Sequence, residues 1–415
     1  MVFSRIRIYF GFFLIYSIIG IFDAFLVIYI PLFYLNILNV NRSELAFIQA
    51  LTYTTLFASP LLGFLYDKYV NKEIQGKILL NASSIILCGS FLIFILLKEF
   101  LIMYGVFVVI YFFSKTLIKT GMSSLFLTVV KESKSTKLTI ILLVNTATIV
   151  SYFGISLLFN FNLLNITSQN YWNIFFTIGW ISSLPIIIVF LIFNNKIDLL
   201  NLGKNNKNTI ISNSKFDTRN YETLIIIIMY FSYVLAASDL IISFPLSSWI
   251  YEKFNETGFR IYSSMYIIFN LCSILGLYFS NLLCKKFNEK KIMFVLINLY
   301  MVVLFLITIS NFPIFIILNS CLSFIGYAIT VAYSSFITDF SNKGKYNNFK
   351  YQFLQTYHSL AAIIFVPIGT LSTNFLRVET LMSISCILNG ISGLFILSTN
   401  LLEKKFSSKK YFERV

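Results

Sequence analysis

Five ionisable side chains stand in the middle of long apolar runs: Asp23, Lys115, Lys119, Asp239 and His358. A charge at the centre of a bilayer costs at least about 2.5 to 3.5 kcal/mol on insertion scales, so each of these needs a partner, water or a task. Lys115 and Lys119 are four residues apart, which puts both ammonium groups on one helix face that Ser123 extends. Two like charges on one stripe repel, and they are tolerated only around an anion, a carboxylate or water. At a helical rise of about 1.5 Å per residue, Asp23 and Lys115 each lie about 20 Å from the inner membrane edge and Lys119 about 13 Å. Asp23 and Lys115 can therefore stand level.

Such a set recognises a solute rather than breaking a bond. The lysines suit an anionic or zwitterionic group, and Asp23 or Asp239 suits a proton taken up and released as the protein moves; the sequence does not choose between the two carboxylates. The plainer reading of the same residues is an ion pair of Asp23 with Lys115, with Lys119 snorkelling toward the surface. His358 is the single histidine and follows Gln352, Gln355 and Tyr357. It suits a proton relay or a hydrogen bond to a neighbouring hydroxyl or amide. Asn145 and Tyr327 are further candidates for a polar wall, although small and polar residues also serve helix packing in membranes.

The elements that must position these groups are membrane helices. The chain of 415 residues is 58% hydrophobic and 12% charged, with mean hydropathy +0.82, whereas a soluble domain carries about 25% charge. Twelve apolar runs are long enough to span a bilayer: 7–35, 44–66, 77–97, 100–128, 138–160, 172–193, 222–250, 259–283, 291–310, 313–338, 350–374 and 379–400. They lack the alternation of a barrel strand, so helices are the expected solution. With both ends on one side, 25 of the 32 Lys and Arg fall in segments on that side. The positive-inside rule then puts both termini in the cytoplasm. The net charge of +15 follows from this topology, so nucleic acid is not an expected partner and anionic membrane lipid is. The five cysteines show no metal spacing and are expected to be buried apolar residues without disulfides. The N-terminal run after Arg5 and Arg7 is expected to be an uncleaved first span. The 46 Phe and 25 Tyr are spread over every span and are expected mostly to face lipid.

The second run closes with Pro60-Leu-Leu-Gly-Phe-Leu-Tyr-Asp-Lys-Tyr-Val-Asn-Lys72. Asp67 ends a helix, where the macrodipole is negative, and so needs something to hold it. Gly63, Asp67, Lys68 and Lys72 fall at the spacing G-x-x-x-D-R/K-x-G-R/K-R/K, with Val70 and Asn71 where that pattern has glycine and a base. On this loop the chain resembles the major facilitator superfamily. The resemblance implies an all-α membrane protein of twelve transmembrane helices in two six-helix bundles. It also implies that Asp67 meets the cytoplasmic start of a helix in the other half, with Gly63 permitting close approach. Spans one, four, seven and ten would line a central cavity and bring Asp23, Lys115, Lys119 and Asp239 to one site.

The halves look duplicated. Asp23 and Pro31-Leu32 recur as Asp239 and Pro245-Leu246 at offsets of 216 and 214, and the loop recurs near 217 as the segment 280–291, where Ser280 and Cys284 replace the glycine and aspartate. The expected division is 1–195 for the first bundle, 196–221 for a linker, 222–402 for the second bundle and 403–415 for a basic tail.

The chain has one histidine and no HExxH, GxSxG or phosphate-binding loop, so neither an enzyme nor a cofactor is expected. The expected function is secondary active transport of a small polar solute by alternating access, linked to protons, by a monomer in the plasma membrane. Two other readings stay open: an exporter of lipophilic compounds, which mid-span lysines disfavour, and a transport-inactive receptor or scaffold.

Overall fold

An apolar run in a bilayer has no water to satisfy its amides, so its backbone must bond to itself. The computed structural model accordingly folds the chain into helices; it describes residues 2–69, 73–130, 133–161, 168–187, 221–242, 245–246, 249–250, 256–342, 346–372 and 375–412. The expected linker, apart from Tyr221, lies outside the described residues. In chain order the spans are α1 (Val2–Ala24, continuing through Phe25–Tyr29 and Ile30–Asn36) and α2 (Arg42–Tyr53, Thr54–Phe57 and Ala58–Tyr69). They continue with α3 (Glu73–Leu97), α4 (Leu101–Val130), α5 (Lys134–Phe161), α6 (Gln169–Ser183) and α7 (Tyr221–Ala236, then Ala237–Asp239). The last five are α8 (Glu256–Lys286), α9 (Glu289–Thr308), α10 (Phe312–Ser341), α11 (Asn347–Ser372) and α12 (Val378–Phe412). Ten helices among the described residues are long and apolar enough to cross a membrane, and Ile8–Ala24 adds a shorter apolar one. With α6 these make twelve helices among the described residues, the all-α fold of two six-helix bundles that the sequence led one to expect.

Several helices overrun their apolar runs. Residues such as Lys134, Lys137 and Asp339 continue a helix as readily as leucine once the chain reaches the polar edge, and α12 runs on to Phe412, into the segment expected as a tail. The spans that carry the mid-membrane aspartates are irregular. Pro31 has no N–H and its ring crowds the carbonyl one turn back. Span α1 widens before it into a π-turn, Phe25–Tyr29, in which the Ile30 N–H reaches back to the Phe25 carbonyl. Span α7 instead tightens into a 3₁₀ turn at Ala237–Asp239. Asp23 and Asp239 thus each sit where their helix leaves regular geometry, which is common at functional positions.

In the first bundle α1 packs on α5, α3 on α4 and α2 on α4, while in the second α8 and α9 pack on α10, and α7 and α9 on α12. The aromatic residues do more than face lipid. Trp172, Phe22, Phe25 and Phe33 are among the most deeply buried side chains, because large rings fill the gaps between helices in offset and edge contacts. A ladder of small polar groups ties α7 to α12: the Ser232 and Ser392 hydroxyls are 2.9 Å apart, Ser238 and Ser385 3.1 Å, and the Asn389 amide donates to Ser238 at 3.1 Å. Such bonds and close backbone contacts are what hold helices together where lipid is as apolar as leucine. Gly276 marks one such contact, since a Cβ there would run into the Phe324 carbonyl of α10.

Gly276→Val is therefore expected to lower the thermal stability of the detergent-purified protein by roughly 1–3 kcal/mol. Gly89→Val, at a position with nothing within 4 Å, is expected to stay within about 0.5 kcal/mol. Equal melting temperatures for the two variants would contradict the packing described.

Candidate functional site

Tyr111 and Lys115 lie one helical turn apart on α4 and both reach Asp23 of α1. The Tyr111 hydroxyl and the Lys115 ammonium each donate to Asp23 Oδ1 at 2.5 Å, and the paired Asp23 and Lys115 side chains are each 13% exposed. Lys115 also lies over the Tyr111 and Phe112 rings, 5.3 and 5.8 Å from their centroids. The pair is thus formed and held. Lys119, a turn nearer the face that carries both chain ends, is half-buried and makes no hydrogen bond or ion pair among the described residues. His358 of α11 lies within electrostatic reach of Lys115, Lys119 and Asp23. It is exposed, and its ring stands edge-on to Tyr357 at 6.1 Å. The neighbouring hydroxyl or amide that could have held it is not found among the described residues.

The second aspartate has different company. Asp239 is exposed, and the Tyr300 hydroxyl of α9 donates to its Oδ2 at 3.1 Å. Tyr266 of α8, Tyr327 of α10 and Tyr357 of α11 lie within reach of its charge. No cation pairs with it among the described residues. Tyr327 also lies within reach of Asp23, so the charge of either carboxylate is felt there. Asn145 is turned onto its own helix, its amide donating to the Ile141 carbonyl at 2.8 Å. Tyr152, two turns further along α5, is the residue of that helix near Asp23 and Tyr327.

The cluster is closed off toward the chain ends. Asp67 Oδ2 accepts the Phe349 N–H at 2.9 Å, so the carboxylate at the end of α2 caps the start of α11, where the helix dipole is positive. Gly63 permits this approach, because a Cβ there would lie 3.1 Å from Gln352 and 3.2 Å from the Phe349 Cα. Lys68 lies 5.8 Å from the Phe64 ring centroid; Val70, Asn71 and Lys72 lie outside the described residues. Between Asp67 and the lysines, Asn348 Oδ1 accepts from Ser123 at 2.6 Å, the Asn348 amide donates to the Thr120 carbonyl at 3.2 Å, and the Gln352 amide donates to Ser123 at 2.8 Å. These bonds form a floor beneath Lys119 and His358.

A second clasp joins α5 to the other bundle. Lys137, 3% exposed, lies 2.8 Å from Asp339 and 3.9 Å from Glu289, while Lys134 lies 3.6 Å from Glu289. Cys284, which stands where the repeated loop would have its aspartate, lies within reach of Glu289, Lys134 and Lys137. On the opposite face the bundles also touch: Thr370 donates to Gln49 at 3.2 Å, Ser263 to the Ser156 carbonyl at 2.9 Å, and the Asn160 amide to Ser264 at 3.3 Å.

A family model, the Major Facilitator Superfamily, matches residues 226–411. Over that stretch, most of the second half of the chain, the sequence is similar to that superfamily. The fold of the chain is similar to the crystal structure of the human organic anion transporter MFSD10 (TETRAN), with TM-score 0.65 and 11% identity over 94% of this chain and 99% of that one. It is also similar to the nucleoside transporter NupG, with TM-score 0.64 and 12% identity over 96% of this chain and 99% of that one. A variant of the E. coli fucose:proton symporter FucP aligns with TM-score 0.60 and 16% identity over 96% of this chain and 98% of that one. At these identities the likeness is one of fold. By sequence, no curated protein matches the chain.

Within this fold Asp23 and Lys115 are in contact, Lys119, Tyr327 and His358 lie within electrostatic reach of Asp23, Tyr327 also lies within reach of Asp239, and the Asn145 amide is turned onto its own helix. Reading the sequence named Tyr327 but missed Lys137, Glu289 and the other tyrosines around Asp239. The first two looked like solvated ends of helices, and the third were hidden among 25 tyrosines.

Breaking the buried pair leaves one charge uncompensated, so Asp23→Asn or Lys115→Ala alone is expected to destabilise the protein by roughly 3–5 kcal/mol. The double variant is expected to recover much of that loss in a thermal-unfolding cycle; additive losses would contradict the pairing.

Proposed function

We propose that this protein is a secondary active transporter that moves a small polar solute, anionic or zwitterionic, across the membrane by alternating access. The observation that carries the reading is a set of mid-membrane ionisable groups from both bundles that are not packed away: Lys119 half-buried and His358 exposed, within electrostatic reach of the Asp23–Lys115 pair, and Asp239 exposed, within reach of Tyr327 as Asp23 is. A charge kept wet at that depth has a use in a solute pathway. The proposed division is a first bundle over 1–195, a linker over 196–221 and a second bundle over 222–402, with both termini in the cytoplasm. Asp67 on α11 and Lys137 on Asp339 and Glu289 are then the inner gate, and Gln49 with Thr370 belongs to the outer one. The similar folds named above belong to proteins described as moving an organic anion, nucleosides and fucose, all small polar solutes.

The test is uptake by protein reconstituted in lipid vesicles, with radiolabelled amino acids, organic acids, sugars and nucleosides offered in turn. The protein is expected to accumulate an amino acid or an organic acid, with uptake of sugars or nucleosides alone contradicting the proposal, and Lys119→Gln is expected to slow that uptake at least about tenfold while melting as the unaltered protein does. Uptake of none of the panel, or equal uptake by the variant, would contradict the proposal.

A further inference from the structure

The charges of the site divide unevenly between the bundles. On the first, Lys115 is neutralised by Asp23 at 2.5 Å, so the charge left over is the ammonium of Lys119. On the second, Asp239 meets a tyrosine hydroxyl but no cation among the described residues, so the group left over is an acid that a cation beside it would draw into its charged form. The two poles are half-buried and exposed respectively. Consecutive residues of α11 divide between them: His358 lies within reach of the lysines, and Tyr357 within reach of Asp239.

We infer that the solute is itself dipolar: a small zwitterion whose carboxylate is held by Lys119 and His358 and whose ammonium is held by Asp239 among its tyrosines. This rests on the transport reading of the same site. A simple anion would satisfy Lys119 but be repelled by Asp239, and a simple cation would do the reverse. A neutral polyol would leave both charges without a counterpart in a low-dielectric setting, where that is costly. A zwitterion satisfies both at once. The surroundings of Asp239 fit this task, because a carboxylate among aromatic rings, here Tyr266, Tyr300, Tyr327 and Tyr357, is a setting that binds ammonium groups. The arrangement also links binding to movement. A solute with one end on each bundle draws the bundles together only when both of its charges are present, so a compound lacking either end has less to offer the closed state.

The experiment uses the full-length protein in detergent and measures binding by thermal shift and by competition. The probes are glycine, 4-aminobutyrate and 6-aminohexanoate, each beside its N-acetyl derivative, which keeps only the negative charge, and its methyl ester, which keeps only the positive one. At least one zwitterion is expected to bind at least about tenfold more tightly than both of its derivatives. Asp239→Asn is expected to erase the preference over the N-acetyl form, and Lys119→Gln the preference over the ester. Should Asp239→Asn not fold, Asp239→Glu keeps the charge on a longer arm and is expected to shift the preference toward a shorter member of the series. An N-acetyl derivative that binds as well as its parent, or a preference that neither variant alters, would overturn the inference. So would a series in which no zwitterion binds. If an organic acid is transported while every zwitterion fails, this inference falls and the transport reading stands; if nothing is transported, both fall.

Discussion

A charge in the middle of a bilayer must be either paired or wet, and the architecture follows from how this chain meets that requirement. Asp23 takes the first course with Lys115 and Tyr111, all within 2.5 Å of one carboxylate oxygen. Lys119 and Asp239 take the second, and they can do so only if water reaches a region between the bundles. The bundles meet chiefly along two helix pairs, α2 with α11 and α5 with α8, with smaller contacts of α4 with α11 and of α5 with α10. The irregular turns of α1 and α7 fall beside the two aspartates, where backbone out of regular helix is acceptable only against protein or water.

The two pairs are versions of one contact. At the end of α2, Gly63 and Asp67 meet the start of α11. At the end of α8 the corresponding residues are Ser280 and Cys284, and the charge contact with the start of α5 has passed to Glu289, which meets Lys134 and Lys137. Neither clasp is strong. A carboxylate at a helix start is worth about 0.3–1 kcal/mol when exposed and up to about 2 when partly buried. A pair as open as Lys137 with Asp339, whose side chain is 57% exposed, is worth about 0–1 kcal/mol. Contacts of this size hold a closed face yet yield to the few kcal/mol a bound solute can supply. A deeply buried ion pair at either gate would lock it.

The fold was open to reading because membrane spans are written in composition and length, and span boundaries depend only on where apolar runs stop. The Asp23–Lys115 pair was also legible, since equal depth along neighbouring helices and the four-residue lysine spacing constrain it. That Asp67 needs a partner followed from a charge at the wrong end of a dipole, and that the partner is a helix start was what the resemblance of its loop implied. What lay beyond the sequence were relations between distant segments. Lys137, Glu289 and Asp339 sit at helix ends where solvated charges are ordinary, and only the docking of α5 against α9 and α10 makes them a clasp. The tyrosines around Asp239 come from four helices, and no periodicity marks a ring assembled that way. Asn145 looked like a wall residue, but a mid-helix asparagine can bond the carbonyl one turn back, and this one does.

The central claim is that the two bundles rock about the charged region, each face opening when its own clasp is released. Electron–electron distance measurements in lipid nanodiscs address it directly, with one spin-label pair at Ser135 and Lys286 on the face that carries the chain ends and another at Glu44 and Phe375 on the opposite face. Replacing Asp67 and Lys137 together by alanine should populate a longer Ser135–Lys286 distance while the Glu44–Phe375 distance stays short. Lengthening of both pairs together, or of neither, would contradict the account.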